Sequence, residues 1–297
     1  TNVAIAKIGS FTNTYTYPLS PVAINNNWQV ITSSSDGIKL AAVVYGGYIY
    51  TSTDSGASWT ERTAPGYRNW NSITSSSDGT KLAATPNGGY IYTSTDSGAN
   101  WTERTVAGSR SWRCITSSSD GTKLAATTWG GNIYTSTDSG VSWTARTASG
   151  SRNWTSIVSS SDGTKLAAAV DNGYIYTSTD SGASWTERTA SGSRGWYGMS
   201  SSSDGTKLAA AALPGYIYTS TDSGASWTER TAPGSRSWTA ISSSSDGAKL
   251  AAAGTNTYIY TSTDSGVNWT AQTASGSRGW YGMSSSSDGT KLAAAAL

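Results

Sequence analysis

The strongest constraint in this chain is a period. The tripeptide Ser-Asp-Gly recurs with Asp36, Asp78, Asp120, Asp162, Asp204, Asp246 and Asp288 at its centre, evenly spaced along the chain. Trp28, Trp70, Trp112, Trp154, Trp196, Trp238 and Trp280 keep the same step. A unit this small cannot bury its own apolar face, so neighbouring units must cover one another in a propeller or a solenoid. A second motif, Ser-Thr-Asp-Ser-Gly-x-x-Trp, centres on Asp54, Asp96, Asp138, Asp180, Asp222 and Asp264.

Strand count within the unit separates the two architectures. From Trp70, a β-compatible run reaches Ser76 and ends at Ser77-Asp78-Gly79-Thr80; a second run, Lys81 to Thr85, ends at Pro86-Asn87-Gly88-Gly89. A third, Tyr90 to Thr95, ends at Asp96-Ser97-Gly98, and a fourth spans Trp101 to Val106. Four short strands joined by glycine turns form an antiparallel sheet, and such a sheet repeated at this period is a propeller blade. The expectation is an all-β, seven-bladed propeller over residues 1–297, one domain. The last unit ends at Leu297 after two strands, and its missing half maps onto the N-terminus. One period upstream, Tyr50, Ser52, Asp54, Gly56 and Trp59 align with Ile8, Ser10, Thr12, Thr14 and Tyr17. Residues 3–19 are therefore expected to pair with 280–297, hiding the sheet edges and closing the ring.

The stretch Ser52-Thr53-Asp54-Ser55-Gly56-Ala57-Ser58-Trp59 and its five further copies resemble the Asp-box, or BNR, repeat. The run Ser77-Asp78-Gly79-Thr80-Lys81-Leu82 is similar to the inner turn of TolB-like and WD-like propellers. The resemblance implies that the Asp-box lies on the turn between third and fourth strands, away from the usual ligand face. Aspartate there is expected to accept bonds from backbone N–H groups two or three residues on, glycine to take positive φ, and tryptophan to bury apolar area. A calcium site needs six to eight oxygens where each box offers one carboxylate, so the box aspartates read as structural and no metal is expected. The family includes sialidases, xyloglucan-cleaving hydrolases, sortilin-type receptors and a photosystem assembly factor, so the repeat speaks for fold rather than activity.

Of 18 acids, 13 are turn aspartates, Glu61, Glu103, Glu187 and Glu229 share one fourth-strand position, and Asp171 stands alone. No distinctive acid pair offers the two carboxylates a glycosidase needs, and there is no histidine to activate a hydroxyl. The chain is therefore expected not to be an enzyme and to need no cofactor, with a glycoside hydrolase kept as the minority alternative. A net charge of +2 does not call for nucleic acid. No apolar run approaches the roughly 20 residues of a membrane span. Cys114 is the only cysteine, so no internal disulfide forms, and it reads as filler in an inner strand. Asn100, Asn153 and Asn268 begin Asn-Trp-Thr sequons produced by the repeat itself. An extracellular setting is favoured; oligomeric state stays open.

The copies are nearly identical, with residues 189–213 and 273–297 matching throughout. Their differences gather in the loop between second and third strands and just after the repeat tryptophan. In a propeller both segments share one face. That face also receives Arg68, Arg110, Arg152, Arg194, Arg236 and Arg278, each two residues before the tryptophan, with Asn26 in the seventh place. Guanidinium groups recognise carboxylate, sulfate or phosphate, and Tyr45, Tyr197, Tyr281 and Trp129 supply faces on which a sugar could stack. Alternatively, each arginine rivets the fold by stacking on its neighbouring tryptophan. The expected function is a binding module, first a multivalent lectin whose similar inter-blade sites add through avidity. A protein-interaction scaffold on the positive face is the alternative, as is a recently amplified or designed propeller with no evolved ligand.

Overall fold

The computed structural model describes residues 27–296. The expected pairing of residues 3–19, Asn26 and the terminal Leu297 lie outside that range. Within it, six four-stranded antiparallel units follow one another, the first two bridged into one eight-stranded sheet, and Trp280–Ser285 with Leu292–Ala296 forms a final two-stranded pair. The second unit is representative: Arg68–Ser75, Leu82–Pro86, Ile91–Ser94 and Thr102–Arg104. Its second and third strands are buried along their whole length, which is why they read as unbroken Leu-Ala-Ala and Ile-Tyr runs instead of alternating. Alanine at these positions lets adjacent sheets approach closely. The fourth strand is short and exposed.

The Ser-Asp-Gly turn is held from both ends. Asp78 Oδ1 accepts from Ser76 Oγ at 2.6 Å and from the Thr80 N–H at 3.0 Å. Gly79 supplies φ +69°, and an added Cβ there would lie 2.8 Å from the Lys39 side chain of the preceding unit. The glycine is thus required by conformation and by packing.

Units are joined by one repeated contact. Trp70 is fully buried against Ala41, Val43 and Ile49 of the preceding sheet, with Ile73, Leu82, Ala84 and Tyr92 from its own. The same cluster forms where the chain returns on itself: Trp28, Ile31 and Tyr50 of the first sheet pack on Ala293 and Ala295 of the last pair. A circle of backbone hydrogen bonds, each 2.7 Å, runs from Ser35 N to Ser77 O and on through Ser119, Ser161, Ser203, Ser245 and Ser287, whose N–H returns to Ser35 O. Lysines add to it: Lys123 Nζ donates to Asp162 O at 2.9 Å, and Lys291 Nζ to Asp36 O at 2.6 Å. The sheets therefore radiate from a single axis, as in a β-propeller.

The second Asp motif occupies the turn between Ile49–Ser52 and Thr60–Arg62. Its geometry departs from expectation in two respects. Asp54 Oδ1 accepts from the N–H of Ser58, four residues on, at 2.9 Å, while Ser52 Oγ donates to the same oxygen at 2.8 Å. The left-handed conformation also falls on two residues, Ser55 at φ 59° and Gly56 at φ 84°. The carboxylate spans the whole turn and holds a serine where glycine would be the unstrained choice. Trp59 Nε1 donates to Gly56 O at 3.2 Å and closes it.

Candidate functional site

Antiparallel connectivity divides the turns between two faces. The Ser-Asp-Gly turns and the turns before the fourth strand share one face, which collects the thirteen turn aspartates. All thirteen carboxyls are held below the usual carboxylate range. For Asp78 the cause is the Ser76 hydroxyl, then the Thr80 N–H and hydroxyl, which bring it to about 2. Asp36 and Asp246 precede Ile38 and Ala248 and so lack the hydroxyl donor. These are turn-forming anions with their acceptor capacity spent within the turn. Among the described residues, no group of three or more His, Cys, Asp and Glu could hold a metal ion.

The other face carries the loops between second and third strands and the segments leading into each repeat tryptophan. Backbone bridges tie these together across units: Gly131 with Arg152, Gly173 with Arg194, Gly215 with Arg236 and Thr257 with Arg278. Sequence variation and the arginines thus share one surface.

At the axis lies a cavity of about 350 Å³ walled by the seven first strands. Its variable positions include the residue directly after each repeat tryptophan: Gln29, Asn71, Arg113, Thr155, Tyr197, Thr239 and Tyr281. Arg113 reaches across two units to donate from Nη2 to the Tyr197 hydroxyl at 3.1 Å, its guanidinium carbon 5.4 Å from the ring centroid. Arg113 is the only charged side chain among the described residues of that wall. Cys114 is half-buried there, its Sγ 3.8 Å from Ser72 Oγ and from Ile157 O. Asn71 and Thr239 turn their polar groups to the Trp112 and Trp280 carbonyls of the next unit.

The six ring arginines do not enter this cavity. Each sits at the mouth of the groove between two sheets, with Nε donating to a carbonyl three residues upstream: Arg110 to Ala107 O at 2.8 Å, Arg152 to Ser149 O at 3.2 Å, Arg236 to Pro233 O at 3.0 Å. Five of them, Arg68, Arg110, Arg152, Arg194 and Arg236, stack on a third-strand tyrosine at 4.5–5.0 Å. Tyrosine takes the place expected for the tryptophan, whose ring is turned edge-on to it, 5.4 Å away in the Trp70–Tyr92 pair; Arg236 lies over its tryptophan too, 6.0 Å from the Trp238 centroid. Arg278, half-buried, keeps the same carbonyl bond, to Ser275 O at 3.3 Å.

The aromatic candidates divide. Tyr197 and Tyr281 line the axial cavity. Tyr45, 37% exposed at the end of the strand Leu40–Gly47, and Trp129, 46% exposed in the turn after Leu124–Thr128, take no part in its wall. The Asn100 and Asn268 side chains are engaged by Asp96 and Asp264 at 2.7 Å. Sequence reading missed the Arg113–Tyr197 pair, and it missed the bond from the third-strand tyrosine to the fourth-strand glutamate, as in Tyr92 to Glu103. The second had a visible signal: Tyr50, Tyr92, Tyr176 and Tyr218 each precede a glutamate by the same interval.

No family profile and no curated protein matches the chain. Solved structures do. YCF48 from Cyanidioschyzon merolae superposes with a TM-score of 0.69 at 17% identity, covering 92% of this chain and 97% of that one. A further structure shows YCF48 bound to D1 peptide, at 18% identity and the same TM-score. The GH74 xyloglucanase from Xanthomonas campestris gives 0.74 at 14% identity over 99% of this chain, which spans 52% of the enzyme. The β-propeller domain of Cps50 (Swd1) from Myceliophteria thermophila gives 0.66 at 12% identity, covering 92% and 97%. At these identities the likeness is one of fold, a β-propeller.

Proposed function

We propose that this chain is a non-catalytic binding propeller that receives its ligand on the face carrying the axial cavity and the arginine ring. The observation that carries the reading is that one of the two segments that differ between otherwise near-identical repeats, the residues just after the repeat tryptophan, lines one cavity wall, while the other borders the same face. A wall without Asp, Glu or Lys among its described residues suits recognition rather than acid–base chemistry. Arg113, Tyr197 and Tyr281 provide a guanidinium and two aromatic faces, the pair of features that hold an anionic or acidic glycan. The fold proposed for this role is seven-bladed, built on the Asp-box repeat, with residues 3–19 supplying the outer strands that the pair Trp280–Ser285 and Leu292–Ala296 would need.

A second reading, an acidic peptide or protein as ligand, is favoured by the likeness to YCF48, one structure of which holds a peptide. One experiment separates the two. The intact chain is applied to a glycan array that includes sulfated and sialylated sugars, and to an acidic peptide library. Hits that weaken at least tenfold in Arg113→Ala and Tyr197→Ala, with an unchanged melting curve, support the face, and the winning library names the class. Blank arrays, or hits indifferent to both substitutions, overturn the reading.

A further inference from the structure

Four of the inter-sheet grooves hold a carboxylate supplied by the chain. Across the third and fourth strands, Tyr50 faces Glu61, Tyr92 faces Glu103, Tyr176 faces Glu187 and Tyr218 faces Glu229. In each, the tyrosine hydroxyl donates to the glutamate. In the three that carry a ring arginine, Arg68, Arg152 and Arg194, it stacks on that tyrosine; the sequence has Asn26 at the position equivalent for Tyr50. In two grooves it also reaches the same carboxylate oxygen, Arg68 Nη2 at 3.7 Å from Glu103 Oε1 and Arg194 Nη2 at 3.9 Å from Glu229 Oε2. The repeat thus contains its own demonstration of what an arginine–tyrosine pair in this groove holds.

Two grooves keep the pair and replace the glutamate. Tyr134 faces Ala145, and Tyr260 faces Ala271, in the same strand register. Arg110 still stacks on Tyr134 at 4.5 Å and Arg236 on Tyr260 at 5.0 Å, with Nε of each anchored to a backbone carbonyl. Among the described residues, no hydrogen-bond partner is recorded for either tyrosine hydroxyl or for the terminal guanidinium nitrogens. Both arginines are exposed. The anchored Nε and the stacked ring fix the guanidinium before any ligand arrives, which lowers the ordering cost of binding.

We propose that the Arg110–Tyr134 and Arg236–Tyr260 pairs are two equivalent sites for an external carboxylate, three repeats apart on the ring. The ligand oxygens accept from the tyrosine hydroxyl and the Nη groups, taking the role that Glu103 and Glu229 play in their own grooves. The proposal deepens the binding-face reading by naming the recognised group. It stands or falls separately from it, since the axial cavity is not involved.

The test uses propionate, the end of a glutamate side chain, titrated into the full chain while the arginine Nε–Hε resonances are followed by NMR. The Arg110 and Arg236 resonances shift saturably, while those of Arg68, Arg152 and Arg194 do not. Ala145→Glu abolishes the response at Arg110 and leaves Arg236 unchanged; Ala271→Glu does the converse. Each rebuilds an arrangement already present in sibling repeats, so folding is retained. Glu103→Ala makes Arg68 respond. N-acetylglutamate amide and methyl glucuronide run in parallel distinguish a peptide from a sugar carrier by which shifts the same resonances at lower concentration. Equal shifts at all ring arginines, or a response that survives Ala145→Glu, overturn the proposal, whatever the arrays report for the axial cavity.

Discussion

Truncating Trp154 to alanine should cost about 3.5–5.5 kcal/mol, the sum of a packing loss and a lost hydrogen bond. Trp154 is fully buried, packed on Ala125 and Ile133 of the preceding sheet and on Ile157, Leu166, Ala168 and Tyr176 of its own. Large-to-small changes of this kind cost about 3–5 kcal/mol through lost burial and the cavity left behind. Trp154 Nε1 also donates to Gly131 O at 3.0 Å. Loss of that bond adds about 0.5–1.5 kcal/mol. The carbonyl still accepts from the Arg152 N–H at 3.0 Å, so the addition stays near the lower end. Trp28 occupies the equivalent place where the last pair meets the first sheet, on Ala293 and Ala295, and its Nε1 has no partner within the described residues. Trp28→Ala should therefore cost about 3–5 kcal/mol. Equilibrium urea unfolding of both variants gives the comparison. Against a total of about 5–15 kcal/mol, either loss could leave an alanine variant partly unfolded, so Trp→Phe at each site is measured beside it and should lose about half as much. A Trp154→Ala loss below about 1 kcal/mol refutes the packing argument. A large loss at Trp154 with almost none at Trp28 refutes closure of the ring.

Four other outcomes follow from the turns and the tyrosines. All the turn aspartates have lowered carboxyls, Asp78 and Asp138 at about 2 in the fold against an ordinary 3.8, so their stabilisation is complete above about pH 4 and is lost as pH falls toward about 2. Melting temperature should be level from about pH 5 to 8, the chain having no histidine, and fall by about pH 2.5; equal values at about pH 2.5 and about pH 7 contradict this. Thr80 Oγ1 donates to Asp78 in a sibling turn. Ile38→Thr and Ala248→Thr restore that hydroxyl and should each raise stability by about 0.5–1 kcal/mol in urea titrations. An added Cβ on Gly121 would lie 2.7 Å from Lys81 Cδ, on a backbone with φ +70. Gly121→Ala should therefore cost about 1–2 kcal/mol or more by the same assay, and a neutral result contradicts the turn geometry. Tyr92 is pushed up to about 12, first by burial and then by its bond to Glu103, so Glu103→Ala should bring its ultraviolet titration to lower pH.

The repeat made most of the fold legible. Trp70 at a fixed step, the glycine turns and the Leu82-Ala-Ala run placed four strands per unit within a residue or two of their observed limits. Strand ends moved where tertiary pairing extended or replaced them: Arg68 and Asn69 join the first strand through a bridge to Gly47 and Tyr45, and the fourth strand gives way to a single 3₁₀ turn at Thr105–Ala107. The shared face of the arginines and variable loops followed from antiparallel order alone. The site itself was less readable. The Arg113–Tyr197 contact joins residues two repeats apart, and only the curvature of a closed ring brings them together. The stacking of arginine on tyrosine rather than tryptophan depends on which ring lies on top in the groove, an outcome of packing and not of spacing. Serine at positive φ in the Asp motif resisted prediction because the bonds that hold it come from the whole turn.

The account rests on a chain that returns to meet itself, and the spacing of residues 35 and 287 tests this most directly. In a Cys114→Ser background, spin labels at Ser35→Cys and Ser287→Cys are compared by pulsed dipolar spectroscopy with labels at Ser77→Cys and Ser119→Cys, a pair one repeat apart with the same 2.7 Å backbone bond. The ring predicts matching short distances for the two pairs in dilute monomer. A separation for 35 and 287 several times that of the control pair would mean an open array and would contradict it.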